Sequence, residues 1–311
     1  MQIYSLHGMT QEHFQDSSTG TLICWIPGEG ISLYKHEGFK NDITVFPLGL
    51  VLDSISPDCK ILLHLPEFAA TRILNNLGVK RLSYLRNNHG LRLNILNQNA
   101  EVMLTPEELM EIKNLFPDLT CTVGNSVWAS NSERERLGIP LHVIPTWYYP
   151  DDAPWQPYES KKDLMIVSPD RHPARKMVLD ALHAHLPDIE IRVIQGLEYE
   201  KYLDLEKRAK WSLTFGEGLD GYFYGPVLRG GIAFAVRNST FDLLPKKTYK
   251  TLYDSYEDMT EHIASDIRIL DSKNRYESYN GELRTPLLSV LGRDRTFTAM
   301  SAYYEGSLSL P

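Results

Sequence analysis

The chain has 311 residues, 42% of them hydrophobic and 23% charged, with a formal net charge of −8 at pH 7. This is ordinary globular composition, which excludes a disordered chain, and the length allows two α/β domains or one large one. The acidic balance argues against a nucleic-acid partner, which needs clustered lysine and arginine, but one local pair of cations could still hold an anionic small molecule.

The cysteines and the amino-terminal segment bear on the compartment. Cys24, Cys59 and Cys121 are far apart and have neither metal-ligand spacing nor the density of a disulfide scaffold, which predicts buried or half-buried thiols in a reducing compartment. The start of the sequence lacks the order of a signal peptide, and no window reaches the ~20 apolar residues of a membrane span. We therefore expect a cytoplasmic protein whose membrane contact, if any, is peripheral and at the inner face.

The first half of the chain alternates between two kinds of pattern. Short β-branched or apolar runs predict strands at residues 21–26, 42–46, 60–65 and 92–96. Helical periodicity predicts helices at 67–77 and 105–115, and the second begins with a threonine cap, a proline and two acids. This alternation is typical of a parallel sheet with crossover helices.

A proline-rich stretch separates the two halves. Residues 145–162 hold four prolines, several aromatics and the adjacent Asp151 and Asp152, which resists helix and strand and predicts a linker.

Beyond this linker the alternation resumes, as in a doubly wound domain. The patterns predict strands at 163–168, 190–195, 211–215 and 232–236, and helices at 176–185, 199–209, 256–270 and 295–304. A polar, irregular stretch is predicted through Asn280, before the last helix. The predicted units are residues 1–148, 149–292 and 293–311.

The strongest functional signal is a glycine-rich turn within residues 213–236, LTFGEGLDGYFYGPVLRGGIAFAV. It reads as a strand, a turn with one acid, a helix that starts near Gly221 or Tyr222, and another strand. Such turns lie at the carboxyl ends of strands, where open α/β sheets bind ligands and helix N-termini bind phosphate. The glycines allow close backbone approach, and Glu217 could accept hydrogen bonds from sugar hydroxyls. The alternative is a turn that needs positive φ and holds no ligand.

This segment resembles the donor-binding signature of the GT4-type retaining glycosyltransferases, EGFG-x-x-x-x-E-A-x-x-x-G-x-P-V. Glu217, Gly218 and Gly230 match the first glutamate, the glycine after it and the later glycine. The segment is still more similar to a bacterial subgroup tied to surface-polysaccharide gene clusters, which reads FGEGLDGYF. One position departs: the second glutamate, which holds the donor's ribose hydroxyls in the family, falls at Gly225.

A second match lies in residues 168–176, SPDRHPARK, after the first strand of the second half. The family places an arginine here and a lysine five residues on, and both clamp the diphosphate. Arg171 and Lys176 have this spacing, and fixed cations at a helix N-terminus would stabilise the charge of a departing diphosphate. The alternative is a basic helix start in which Arg175 and Lys176 face water.

The first half offers weaker candidates. His64 ends a predicted strand, and GT-B enzymes often place a histidine near the donor hexose at this point. It could equally be a buried histidine or one that donates to a carbonyl. Asn97 and Asn99, in a run NILNQN similar to that of the polysaccharide subgroup, are acceptor-side candidates, with a plain turn as the alternative.

The resemblance implies an α/β protein of the GT-B class, with two Rossmann-like doubly wound domains facing a central cleft. It also implies a C-terminal helix that crosses back to the first domain, with Phe297, Met300, Ala302 and Tyr303 as its apolar side. The implied function is transfer of a hexose from a UDP- or GDP-linked donor to a saccharide or lipid-linked saccharide acceptor in bacterial surface polysaccharide synthesis. The reaction would proceed with retention, without metal or cofactor, and an inverting variant would use His64 as its base.

Site residues follow from the matched positions. The implied catalytic residues are Arg171, Lys176, Glu217 and His64. The implied donor-binding residues are Gly216, Gly218, Leu219, Asp220 and Gly221.

Two alternatives stay open at this point. One keeps the fold and changes the reaction, to a nucleotide-sugar epimerase or a phosphorylase. The other is a catalytically weak homologue that binds nucleotide or sugar as the partner of an active transferase, because Gly225 replaces an acid. A nicotinamide dehydrogenase is disfavoured, since no G-x-G-x-x-G follows an early strand.

Overall fold

The computed structural model describes residues 24–25, 39–40, 46–54, 60–88, 90–97, 102–145, 154–216, 219–238 and 243–306. Contacts divide the chain into two compact units. The first comprises Met1–Tyr34, Asp42–Ile144 and Ala302–Pro311, and the second comprises Lys35–Asn41 and Pro145–Ser301. The predicted site residues Glu217, Gly218 and Asn99 lie outside the described residues, as do Asp151 and Asp152.

The first unit contains a four-stranded parallel sheet whose strands lie in chain order. They are β1 (Ile61–Pro66), β2 (Leu91–Asn97), β3 (Leu119–Val123) and β4 (Leu141–Val143). The predicted strands at 60–65 and 92–96 are therefore confirmed. Of the two earlier predicted strands, the described parts are Cys24–Trp25 and Phe46–Pro47, which pair in parallel.

Among the described residues, five α-helices lie entirely within the first unit. They are α1 (Leu48–Ser54), α2 (Ala70–Asn76), α3 (Gly78–Asn87), α4 (Pro106–Leu115) and α5 (Asn131–Leu137). The predicted capping box of α4 is confirmed: Thr105 Oγ1 accepts from the Glu108 amide at 3.2 Å, and Glu108 Oε2 accepts from the Thr105 amide at 2.8 Å. The predicted helix at 67–77 begins as a 3-10 turn, Glu67–Ala69, that continues into α2.

The second unit contains a five-stranded parallel sheet. Its strands are β5 (Lys162–Val167), β6 (Glu190–Val193), β7 (Ala209–Leu213), β8 (Ile232–Val236) and β9 (Leu252–Tyr253). The spatial order is β9-β8-β7-β5-β6. The chain thus leaves β5 for an outer strand and returns to the other side of β5, so the winding reverses between β5 and β7. A separate two-residue strand, Leu197–Glu198, pairs with Phe39–Lys40.

Strand β7 begins at Ala209, two residues before the predicted start, and so includes Lys210. A lysine argues against a buried strand, yet Lys210 is only 7% exposed. Its Nζ lies 2.6 Å from Asp163 Oδ1 and 2.9 Å from Asp271 Oδ1, and these two carboxylates compensate its buried charge.

Helices flank the second sheet, and most of them match the prediction. They are α6 (Arg175–His185), α7 (Tyr199–Arg208), α8 (Gly221–Leu228), α9 (Tyr256–Leu270) and α10 (Lys273–Val290). The last helix, α11 (Arg293–Glu305), begins in the second unit, and its residues from Ala302 on belong to the first. Among the described residues, no helix is both long enough and apolar enough to cross a membrane.

The prediction of an irregular stretch through Asn280 is wrong, because these residues lie in α10. One face of α10 is buried, with Tyr276, Tyr279, Leu283 and Leu287 at helical spacing. Polar residues occupy most of the remaining positions and hide this pattern in the sequence.

The buried side of α11 differs from the apolar side that the sequence predicts for this helix. Phe297, expected on the apolar side, is 38% exposed and lies under the Arg293 guanidinium, 5.2 Å from the ring centroid. Thr296 is buried instead, and its hydroxyl donates to the Pro145 carbonyl at 2.9 Å. Tyr303 is 1% exposed and packs in the first unit.

Candidate functional site

The two loops that the sequence singles out follow neighbouring strands of the second unit. Val167, at the end of β5, pairs with Leu213, at the end of β7. Beyond them, Ser168 Oγ accepts from the Phe215 amide at 3.0 Å, and the Ser168 amide donates to the Leu213 carbonyl at 2.9 Å. The loops therefore lie side by side at the point where the strand order reverses, which is where open α/β sheets bind ligands.

Arg171 and Lys176, the two predicted clamp cations, lie in different elements. Arg171 is exposed in the loop between β5 and α6. Lys176 is the second residue of α6, 85% exposed, and its Nζ lies 2.6 Å from Asp180 Oδ2, one turn along the helix. An exposed pair of this kind contributes only ~0.2–0.5 kcal/mol, so Lys176 could exchange it for an anionic ligand at little cost.

The start of α6 has the properties of an anion site. Its N-cap is Ala174, whose side chain offers no acceptor to the helix. The Ala174 amide donates to His172 Nδ1 at 3.2 Å and the Arg175 amide to the His172 carbonyl at 3.1 Å, so an anion would meet the amides from Lys176 onward. The alternative interpretation had Arg175 facing water, but its side chain is half-buried. Its Nη1 donates to the carbonyls of Pro169 and Asp170, at 3.2 and 3.0 Å, and so braces the loop.

The glycine-rich turn begins at an exposed residue with left-handed backbone. Gly216 has φ 77°, and its amide donates to the Tyr256 hydroxyl at 3.0 Å. A Cβ built on Gly216 would lie 3.8 Å from the Asp170 Cβ, so the turn and the basic loop are neighbours. The predicted roles of Glu217 and Gly218 remain predictions, because these residues are not described.

The rest of the turn is held by its own side chains. Leu219 is fully buried in the core, so only its backbone could contact a ligand. Asp220 caps α8: its Oδ1 accepts from the Tyr222 amide at 2.9 Å and from the Thr214 hydroxyl at 3.2 Å. Gly221 is the exposed first residue of α8.

An aromatic cluster that sequence reasoning missed ties these loops to α9. The ring of His172, in the basic loop, lies 4.1 Å from that of Tyr256 and 6.2 Å from that of Phe215. Phe215 and Tyr256 are stacked, with centroids 5.6 Å apart. Tyr256 is far away in the chain, and nothing in the local pattern links it to the two loops.

Asp170 is a second residue that sequence reasoning passed over. Its Oδ2 is buried and has no hydrogen-bond partner among the described residues. A buried carboxylate oxygen without a donor is costly, which makes it a candidate acceptor for ligand hydroxyls. Gly225, where the resembling family has its second acid, is buried inside α8.

In the first unit, His64 belongs to a polar network on the sheet. Its Nδ1 lies 2.9 Å from Asn94 Nδ2, which also donates to the Thr122 hydroxyl at 2.9 Å. The amide nitrogen of Asn94 can only donate, so His64 Nδ1 accepts and carries no proton. This geometry assigns the imidazole proton to Nε2, which lies 3.5 Å from the Tyr304 hydroxyl. Burial lowers the pKa of His64 to about 4. His64 is thus neutral at pH 7 and presents a donor, rather than a base, at Nε2.

Tyr303 completes this network from the last helix. Its hydroxyl lies 2.8 Å from Thr120 Oγ1, which also donates to Asn94 Oδ1 at 3.0 Å. Its ring lies 5.9 Å from that of His64.

Asn97, the acceptor-side candidate, is 2% exposed. Its amide nitrogen lies 3.1 Å from the Thr122 carbonyl and 3.4 Å from the Ile95 carbonyl. Its donor group therefore supports the end of β2. Within the described ranges, no group of three or more His, Cys, Asp or Glu residues is arranged to hold a metal ion.

The chain forms two parallel sheets with flanking helices, and the second sheet is doubly wound, with loops suited to a ligand at its reversal point. The protein is therefore an α/β protein, and solved structures similar to it show the GT-B glycosyltransferase fold. An α-glucosyltransferase in complex with UDP-glucose and DNA containing an abasic site is similar to it, with a TM-score of 0.56, 8% identity and 89% of each chain covered. Trehalose-6-phosphate synthase OtsA has a TM-score of 0.52 and 10% identity, over 85% of this chain and 76% of that one.

TarM of S. aureus, in complex with Fondaparinux, α-GlcNAc-glycerol and UDP, is also similar. Its TM-score is 0.53 at 10% identity, and the match covers 86% of this chain but only 59% of the TarM chain. No protein-family model matches the chain, and no curated protein matches it in sequence. At such low identity, the structural similarity establishes the fold and leaves donor and acceptor to be argued from the residues.

Proposed function

We propose that this protein is a hexosyltransferase that takes its sugar from a UDP- or GDP-linked donor. The observation that carries the proposal is the meeting of residues 168–176 with residues 214–216 and 219–221 at the reversal point between β5 and β7. Each loop was singled out independently by its sequence. Structures of the similar α-glucosyltransferase and of TarM contain UDP-glucose and UDP, which supports a nucleotide ligand for this fold.

The diphosphate of the donor would bind to Arg171, Lys176 and the amides of the first turn of α6. Negative charge grows on the diphosphate as the glycosidic bond breaks, and fixed cations and helix amides stabilise it without reorganisation. Lys176 would leave its exposed partner Asp180 to do so.

The sugar would lie against the glycine-rich turn. Gly216, Gly218 and Gly221 would allow the backbone close to the ring, and Glu217 would orient its hydroxyls. We propose retention at the anomeric carbon, with the acceptor hydroxyl losing its proton toward the departing diphosphate. The neutral state of His64, with its proton on Nε2, supports this over an inverting reaction that uses His64 as base.

The acid missing at position 225 has a substitute in this proposal. Asp170 lies beside Gly216, and its buried Oδ2 would accept the donor hydroxyls that the family's second glutamate holds. If this is wrong and nothing replaces that acid, the protein would bind nucleotide without transferring sugar. Calorimetric titration of Asp170→Asn with UDP would test it: an affinity equal to that of the original protein would remove Asp170 from the site.

The acceptor and cellular role rest on the resemblance of residues 215–223 to the polysaccharide subgroup. The proposed acceptor is a saccharide or lipid-linked saccharide of bacterial surface polysaccharide synthesis. The enzyme would act in the cytoplasm, at the inner face of the membrane.

Thermal unfolding with nucleotide sugars tests the donor site directly. We expect UDP-glucose, UDP-N-acetylglucosamine or GDP-mannose to stabilise the protein, since a donor at 100 times its Kd adds ~2.7 kcal/mol. Arg171→Ala and Lys176→Ala should lose most of the shift. Asp180→Asn, which frees Lys176, should keep or increase it.

The matched control is Arg208→Ala. Arg208 forms the same kind of exposed pair one turn apart, with Asp204 on α7, outside the two loops. It should leave the shift unchanged. A full shift in Arg171→Ala would remove the proposed clamp, and transfer of labelled hexose to an oligosaccharide panel would then decide whether the protein is an active transferase.

A further inference from the structure

A cavity of about 600 Å³ lies in the first unit, and the described residues that line it do not include His64. One wall is formed by the 3-10 turn Glu67–Ala69 and α2, and the other by the segment Val102 to Leu104 with the first turn of α4. Its volume is within the range of small-molecule sites.

The position of the cavity is that of a ligand site. Glu67 follows directly on Pro66, the last residue of β1, and Val102 comes after the end of β2 at Asn97. Strands β1 and β2 are neighbours and parallel, so both walls arise at the carboxyl edge of this sheet. Open parallel sheets bind their ligands at that edge.

The wall combines a buried carboxylate with an exposed ring. Glu67 is 2% exposed, whereas Phe68, the next residue, is 55% exposed. Asn75 and Asn76 add amides from α2, and Val102, 46% exposed, adds apolar surface. An aromatic face beside carboxylate and amide groups suits a ring that is apolar on its faces and carries hydroxyls at its edge.

The charges of the cavity select against anions. Among the described residues, its charged side chains are Glu67, Glu108 and Arg72, with a formal net charge of −1. Glu108 is held in the capping box of α4 through Oε2. A phosphate or carboxylate would meet two acids and one cation, whereas a neutral polyhydroxylated ring meets hydrogen-bonding groups without an electrostatic penalty.

The geometry points to a binding site for a neutral sugar ring, with Phe68 as the stacking surface and Glu67 as the acceptor for ring hydroxyls. Its use as the acceptor subsite of the transferase rests on the proposed function. The binding of sugar does not, and it can be measured in the absence of any donor.

The test is titration of the full chain, without nucleotide, with the neutral methyl glycosides of glucose, galactose, mannose and N-acetylglucosamine. Methyl glucuronide and glucose 6-phosphate serve as anionic comparators. We expect at least one neutral glycoside to bind, and the anionic sugars to bind at least about tenfold more weakly. Anionic sugars that bind as tightly as the neutral ones would overturn the inference, as would no binding by any neutral glycoside.

Phe68→Ala locates the binding, and its high exposure makes it safe for folding. We expect the Kd of the neutral glycoside to rise about tenfold, the loss of one aromatic contact. Glu67→Gln should weaken it as well. The matched control is Val79→Ala, which removes an 82% exposed apolar side chain on α3, outside the cavity. Equal affinity in Phe68→Ala and Val79→Ala would overturn the inference.

Titration of the same variants with UDP separates the two proposals. Unchanged UDP binding with weakened glycoside binding supports the sugar site on its own. Glycoside binding that depends on Phe68, in a protein that binds no nucleotide and transfers no sugar, would end the proposed transferase and leave the sugar site standing.

Discussion

His64 illustrates how a predicted catalytic residue acquires a different character from its surroundings. The network of Asn94, Thr120 and Tyr303 satisfies the side chains around it, and burial keeps its imidazole neutral. A buried neutral histidine is also a source of pH-dependent stability.

The pH dependence of stability follows from the pKa of His64, lowered from 6.5 to about 4. Below pH 6.5, His64 is protonated in the unfolded chain but stays neutral in the folded protein until about pH 4. The free energy of unfolding therefore falls as the pH drops through that interval. We expect a loss of at most ~3 kcal/mol from this group. Urea unfolding at pH 7, 6, 5 and 4 would measure this loss. The free energies of unfolding of the original protein and of His64→Gln should come closer together as the pH falls. Parallel stability curves would contradict it.

Among the described glycines, Gly230 has the least space for a side chain. Its φ is 91°, and an added Cβ would come within 2.2 Å of the Gln156 carbonyl oxygen. The match of this glycine to the family pattern therefore has a packing reason in the second unit.

We expect Gly230→Ala to lower the free energy of unfolding by more than ~2 kcal/mol, because both strain and a backbone clash arise. Gly281→Ala is the control. Gly281 lies within α10 with no atom within 4 Å of an added Cβ, so alanine should stabilise the helix by up to ~1 kcal/mol. Denaturant titration measures both, and equal effects would show that space at residue 230 does not matter.

At the scale of elements, α10 shows why one helix was mistaken for an irregular stretch. Asn280 looks like a loop residue in the sequence, yet it is 1% exposed. Its Nδ2 donates to the carbonyls of Val227 and Gly231, at 2.9 and 2.6 Å, and its Oδ1 accepts from the Trp155 indole at 3.0 Å. The amide thus joins α10 to the end of α8 and to the segment before β5.

Asn280→Ala should cost ~1–3 kcal/mol of unfolding free energy, because it removes the amide that donates to the carbonyls of Val227 and Gly231 in the buried interior. Asn274→Ala, an exposed position on the same helix, should change stability by no more than ~0.5 kcal/mol. Guanidinium unfolding of the two variants provides the comparison. If Asn280→Ala lowers the free energy of unfolding no more than Asn274→Ala does, the hydrogen bonds of Asn280 make no net contribution to stability.

The aromatic cluster of His172, Phe215 and Tyr256 acts at the same scale. It connects the loop after β5, the loop after β7 and the start of α9, three segments that are distant in the chain. Its packing holds the two proposed donor loops in register, which a ligand site needs before the ligand arrives.

At the scale of the whole molecule, each of the two units carries its proposed ligand site at the carboxyl edge of a parallel sheet. In the second unit the site lies at the reversal of strand order, and in the first it is the cavity beside β1 and β2. This common placement follows from parallel topology, which gathers the loops that follow the strands at one edge.

Much of this protein could be predicted from local sequence. Strand runs, the capping box at Thr105 and the glycine and cation spacings all depend on residues within one turn or one loop, so the sequence displays them directly.

Only the tertiary structure decided which loops became neighbours, that Asn97 and Asn280 are buried, and that His64 is neutral. Strand order, burial and electrostatic environment arise from packing between distant segments. No local pattern records them, because the same residue types would satisfy their hydrogen bonds with water if that packing were absent.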